Sequence, residues 1–192
     1  PNLVLLPVDL NGKRYRFLLD TGASRTVFDD SLRHLLGSKP VRSEKASVAH
    51  GKFIRFDYYN APAAMIGSIP LKQCGLVAAV DLKPLNRLAK QRVDGVIGMD
   101  ILKNYCVQID FDAGKVRFLS QGKKETGRWG EKLHVNFEPG TFIPMVNAKI
   151  LHNKPVSFMI DTGHLTMLKS GYLEKGVIEE ASKYTNSANI QS

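Results

Sequence analysis

Phe17-Leu18-Leu19-Asp20-Thr21-Gly22-Ala23-Ser24 decides the reading of this chain. Three apolar residues run toward a buried strand end and stop at an acid. A buried carboxylate is costly unless hydrogen bonds or a shared charge compensate it. Asp20 is therefore either turned out in a loop or held for a purpose. Gly22 permits a tight turn and a close backbone N–H approach to the carboxylate, and Thr21 can hydrogen-bond back into the loop. The pattern returns as Phe158-Met159-Ile160-Asp161-Thr162-Gly163. Each copy follows a strand, a short turn and a second strand, so the two form an internal repeat.

Working outward, residues 3–10 read as a strand, and Asn11-Gly12 is a two-residue hairpin signal that returns the chain through residues 15–19. Beyond the loop, Val27-Phe28 is expected in the core. Asp29-Asp30-Ser31 caps a short helix through Leu36, with Gly37 just past its end. Residues 38–51 are polar and read as irregular. Residues 53–58 alternate as a hairpin arm would, and a hairpin tip at His50-Gly51 would fold over a cleft. Residues 64–71 predict a strand and turn. Residues 75–80 are wholly apolar, as a strand buried on both faces would be. Residues 83–92 read as a basic surface helix or loop.

Val96-Ile97-Gly98 predicts a buried strand whose end meets another backbone closely. A short helix is expected over 100–105 and a closing hairpin over 106–119. Polar residues 121–131, with three glycines, read as a linker. Fresh strands are expected over 133–137, 142–151 and 156–160, then a short helix over 169–174 and a loose tail from 181.

Composition narrows the class. A hydrophobic fraction of 43% and a charged fraction of 23% are those of a soluble globular protein. No apolar stretch is long enough to span a bilayer, and no basic-then-apolar leader opens the chain. The chain starts at Pro1, the pattern left when an upstream piece is removed from an exported precursor or by an engineered boundary. The net charge of +9 reads as a solvated basic surface, because no nucleic-acid motif organises it. Cys74 and Cys106 form no CxxC, and a disulfide and two buried free thiols both stay open. His34, His50, His134, His152 and His164 lack metal-ligand spacing. No Gly-rich phosphate loop and no nucleophile elbow is present. No metal and no cofactor are expected.

Two carboxylates held close cannot both ionise easily; one keeps a proton and the pair titrates as a unit. Such a pair can take a proton from a water and give one to a carbonyl, which hydrolyses an amide without a metal or a covalent intermediate. Asp20-Thr21-Gly22-Ala23-Ser24, with the block from Asp94 to Leu119 that contains Val96-Ile97-Gly98, resembles the aspartic peptidase superfamily and is most similar to retropepsin-like bacterial aspartyl proteases. The resemblance covers the first 119 or so residues. It implies a mostly β fold: a retropepsin/pepsin-like β-barrel lobe over 1–120, a linker over 121–131 and the start of a second lobe over 132–192. It implies that Asp20 and Asp161 face one another as catalytic residues, supported by Thr21, Gly22, Thr162 and Gly163, with the threonines interlocking. His50 and Gly51 would be the substrate-covering flap. A polypeptide substrate, no nucleic acid and export are also implied.

The sequence departs from the family pattern twice, at His164 and in the shortness of residues 132–192. His164 follows the second motif where a small residue is usual; turned inward as a cation, it would keep Asp161 charged and leave Asp20 as the acid. Ala23 brings no hydroxyl to Asp20 where pepsin-like lobes usually carry Ser or Thr, so the resemblance is to the retropepsin side and implies activity at mildly acidic pH. Residues 132–192 are also too few to repeat the first lobe. The second lobe is therefore degenerate, truncated, or completed by another polypeptide. Asp20 otherwise merely ends a strand, and Asp161 is otherwise a surviving repeat without catalytic use. The competing readings are a retropepsin-style homodimer with Asp20 from two chains, and a catalytically silent peptide-binding module.

Overall fold

Asn11 and Gly12 both take positive φ, the backbone a two-residue hairpin needs. They join β1 (Leu5–Leu10) to β2 (Lys13–Leu19) in antiparallel register. The computed structural model describes residues 3–47, 53–120, 132–148 and 156–164. The linker, the hairpin tip at 50–51, and the expected helix and tail after 164 lie outside the described residues.

Period-2 geometry explains why β2 can be apolar without alternation. Tyr15, Phe17 and Leu19 enter the larger core, while Leu18 enters a smaller core with Val80, Leu82, Val93 and Val96. Strand β3 (Val27–Asp29) follows the loop. The Asp29 carboxylate accepts the Ser31 N–H at 3.0 Å and caps a 3-10 helix over Asp30–Leu35. Next come β4 (Arg42–Ser47), β5 (Phe53–Asn60), β6 (Ala64–Ile66), β7 (Ile69–Pro70) and β8 (Leu76–Val80). Helix α1 (Lys83–Ala89), β9 (Gly95–Ile97) and α2 (Met99–Leu102) complete this part.

These nine strands form one sheet in the order β4-β5-β8-β3-β9-β2-β1-β6-β7. Strand β9 lies between β2, to which it is parallel, and β3, to which it is antiparallel. The loop carrying Asp20 therefore arches over the end of β9. That ψ-shaped arrangement needs two glycines. A Cβ on Gly95 would lie 2.1 Å from the Phe17 ring, and one on Gly98 would lie 2.6 Å from the Arg25 backbone. Phe17 in turn packs edge-on against Phe28, ring centres 4.9 Å apart.

Strands β10 (Tyr105–Asp110) and β11 (Lys115–Ser120) form the expected hairpin as a separate sheet. Strands β12 (Asn136–Phe137), β13 (Pro144–Ala148) and β14 (Val156–Met159) form a third. Ile143 is buried in the larger core and Met145 packs against it, and the Lys103 ammonium lies 4.0 Å from the Phe142 ring centre. The third sheet is thus tied to the first. Strands hold 47% of the described residues and helices 15%, so the fold is mostly β. No helix among the described residues is long and apolar enough to cross a membrane.

Four expectations need correction. The barrel does not close among the described residues: β4 and β7 end the sheet unpaired with each other, and β7 ends at Pro70, which has no N–H to offer a further strand. Residues 42–47 are a strand rather than irregular. Their alternation is missing because β4 is a mostly exposed, charged edge of the kind that resists pairing with other chains. The helix after Gly98 starts at Met99 and stops at Leu102, because Tyr105 opens β10. Both cysteines are free, Cys74 half-buried and Cys106 exposed, so buried thiols describe neither.

Gly98→Ala tests the crossing. The backbone it would strike cannot move without shifting the Asp20 loop. We expect a loss of about 2 kcal/mol or more in urea unfolding followed by circular dichroism. An unchanged midpoint would contradict the close approach.

Candidate active site

Strand β2 delivers Asp20 and β14 delivers Asp161. Backbone bonds fix both ends: Asp20 N–H donates to Ile97 O at 3.0 Å, and Ile160 N–H to Pro144 O at 2.9 Å. The two loops then hold each other. Thr21 N–H donates to Thr162 Oγ1 and Thr162 N–H donates to Thr21 Oγ1, each at 3.1 Å. The Thr21 hydroxyl donates to Ile160 O at 2.5 Å, and the Thr162 hydroxyl to Leu19 O at 2.8 Å. Every bond has its counterpart in the other loop, 141 residues away. No apolar side chain of similar shape could reproduce this exchange, because each hydroxyl must accept and donate at once.

The exchange brings the carboxyls together. A Cβ on Gly22 would lie 2.5 Å from Asp161 Cγ, and one on Gly163 would lie 2.3 Å from Asp20 Cγ. Each glycine is thus the floor on which the opposite acid rests. Asp20 Oδ1 accepts the N–H groups of Gly22 at 2.8 Å and Ala23 at 3.1 Å. Asp161 Oδ1 accepts the Gly163 N–H at 2.9 Å. Burial pushes the Asp20 carboxyl up from 3.8 to about 7; the Asp161 charge and a hydrogen bond between the two acids add to the rise, and the Gly22 and Ala23 N–H groups oppose it.

Of the expected site residues, the structure brings Asp20, Thr21, Gly22, Asp161, Thr162 and Gly163 into one cluster. His50 and Gly51 lie outside the described residues. The sequence reading passed over the support beneath the first loop. Thr26 is fully buried. Its hydroxyl donates to Asp100 Oδ1 at 2.7 Å and accepts the Gly98 N–H at 3.2 Å, while its own N–H donates to Asp100 Oδ2 at 2.9 Å. Burial raises the Asp100 carboxyl above its ordinary value, against the opposing pull of the Thr26 bonds. The signal was present: an acid two residues past Gly98, on a helix start that the ψ-shaped crossing carries under residues 23–26.

A mostly β fold carrying two interlocked Asp-Thr-Gly loops defines the class of the aspartic peptidases. The aspartyl protease family model matches residues 6–101, half of the chain, and the chain belongs to that family. The match takes in the Asp20 loop and Val96-Ile97-Gly98 and ends before Asp161. Among curated proteins none matches the chain.

Two outcomes follow. Thr162→Val keeps the shape but removes the acceptor of the Thr21 N–H and a donor to Leu19 O. We expect a loss of about 1–3 kcal/mol, with faster hydrogen exchange at the Thr21 amide; an amide as protected as before would contradict the interlock. The second outcome concerns pH. An acid raised on folding favours the native state fully below its unfolded value of 3.8, and loses that contribution as pH rises through about 7. The melting temperature of the wild type, measured against Asp20→Asn, should therefore fall between pH 4 and pH 7. Parallel curves would contradict the raised value.

Proposed function

We propose that this chain is an aspartic endopeptidase in which Asp20 and Asp161 share one proton and hydrolyse a peptide bond through a water held between them. The observation that carries this reading is the reciprocal Thr21–Thr162 exchange, which seats both carboxyls together within one chain. It favours the single-chain pair over a homodimer using Asp20 twice. It also supports reading residues 1–120 as one lobe and residues 132–192 as part of a second.

The chemistry follows from the pair. The ionised carboxylate takes a proton from the water as its oxygen bonds to the scissile carbonyl carbon. The neutral carboxyl gives its proton to the carbonyl oxygen, and a tetrahedral diol forms. Proton transfer to the amide nitrogen then lets the C–N bond break. The partial burial of the pair strengthens these transfers because a charge withdrawn from water is less screened. The substrate is a polypeptide in extended form.

Asp20→Asn preserves shape and removes the acid–base group. Cleavage of a denatured protein should fall at least about a hundredfold in this variant, while wild-type cleavage survives EDTA. Undiminished cleavage by Asp20→Asn would sink the assignment. A wild type that binds extended peptides without cutting them would favour a silent peptide-binding module.

A further inference from the structure

The two loops match until the residue after the glycine. In the first loop that residue is Ala23, which packs against the smaller core. In the second it is His164, whose Nδ1 lies 3.6 Å from Asp161 Oδ2. The Gly163 N–H already occupies Asp161 Oδ1, so the imidazole sits on the other oxygen. The His164 side chain is 40% exposed and that of Asp161 is 24% exposed. The ring therefore reaches both solvent and Asp161.

We propose that His164 is a positioning residue that gives the pair a fixed polarity: as imidazolium it holds the negative charge on Asp161 and leaves the shared proton on Asp20. This rests on the proposed Asp20–Asp161 chemistry. Among the described residues, two titratable groups lie close to His164. Asp161 does so from its own loop. Asp20 does so from the loop after β2, its carboxyl lying against Gly163, the residue before His164. A cation beside one member of a proton-sharing pair stabilises the form in which that member is ionised. Asp161 then takes the proton of the water, and Asp20 protonates the carbonyl oxygen. The upward shift of Asp20 by burial agrees with that direction. In the acid range a histidine is cationic, so the polarity is set under the conditions in which the pair holds one proton. The ion-pair distance exceeds that of a hydrogen bond, and the half-exposed ring is screened by water. The effect is accordingly modest: about half to one pH unit.

Full-length wild type, His164→Ala and His164→Lys are compared in pH–rate profiles with a peptide substrate. Removing the cation raises the lower of the pair's two titration steps. The acid limb should therefore move to higher pH in His164→Ala and return in His164→Lys, which restores a charge without the ring. A limb that stays in place in His164→Ala overturns the proposal. A limb that moves equally in both variants also overturns it, because shape rather than charge would then be responsible. The same titration is followed by carbon NMR of labelled aspartate carboxyls, which needs no turnover. If the wild type cleaves nothing, the endopeptidase reading fails while the carboxyl titration still decides the role of His164 by the same pattern.

Discussion

Everything around the acid pair depends on the reciprocal bonding of Thr21 and Thr162. Two carboxylates repel, and neither loop has a reason to bring its acid to the other unless a stronger constraint does so. The threonines supply it. Each hydroxyl accepts the opposite N–H and donates to the carbonyl preceding the opposite acid. Separating the loops would return these groups to water, so each bond contributes about 0.5–1.5 kcal/mol net. The cost of placing two acids together is thus offset by the four bonds acting together. Burial and the neighbouring Asp161 charge raise the Asp20 carboxyl, so that the pair is spared part of that repulsion.

That constraint reaches into the core along two routes. Under the first loop, β9 passes between β2 and β3. Gly98 lets the Arg25 backbone lie directly on it, and Thr26 and Asp100 tie the crossing shut. Under the second loop, Ile143 is buried in the core of the first sheet, and Pro144 next to it accepts the Ile160 N–H. Asp161 is thereby positioned by the packing of a side chain that directly precedes β13 and lies in the first sheet's core. Interiors packed to this density transmit displacement, so the distance between the acids is set by core residues that touch neither.

The sequence carried the parts of this that are local. Apolar–apolar–Asp-Thr-Gly appears twice, Asn11-Gly12 announces its hairpin, and Asp29 announces its helix cap. The mostly β fold and the pairing of the two acid loops were readable from the repeat and the family resemblance together. What escaped was decided by tertiary neighbours. Strand β4 has no alternation because neither of its faces is buried, so its pairing with β5 leaves no mark in the pattern. The Thr26–Asp100 bonds join residues 74 apart, and nothing short-range links them. The open sheet depends on how β7 ends at Pro70, which a repeat-based reading does not weigh.

A repeat also hides its own exceptions. Matched loops suggest equal acids, yet the chemistry of a proton-sharing pair requires unequal ones: one must be ionised when the other is not. In a symmetric pair that difference is supplied by the substrate or by chance. Here the sequence breaks the symmetry at the residue after each glycine, Ala23 against His164, and this break falls beside the acids rather than at a remote surface. Ala23 contributes its N–H to Asp20 and an apolar methyl to the smaller core. His164 contributes a titratable ring to Asp161. The shared hydrogen bonds fix where the acids are, and the unmatched residues bear on which of them is charged.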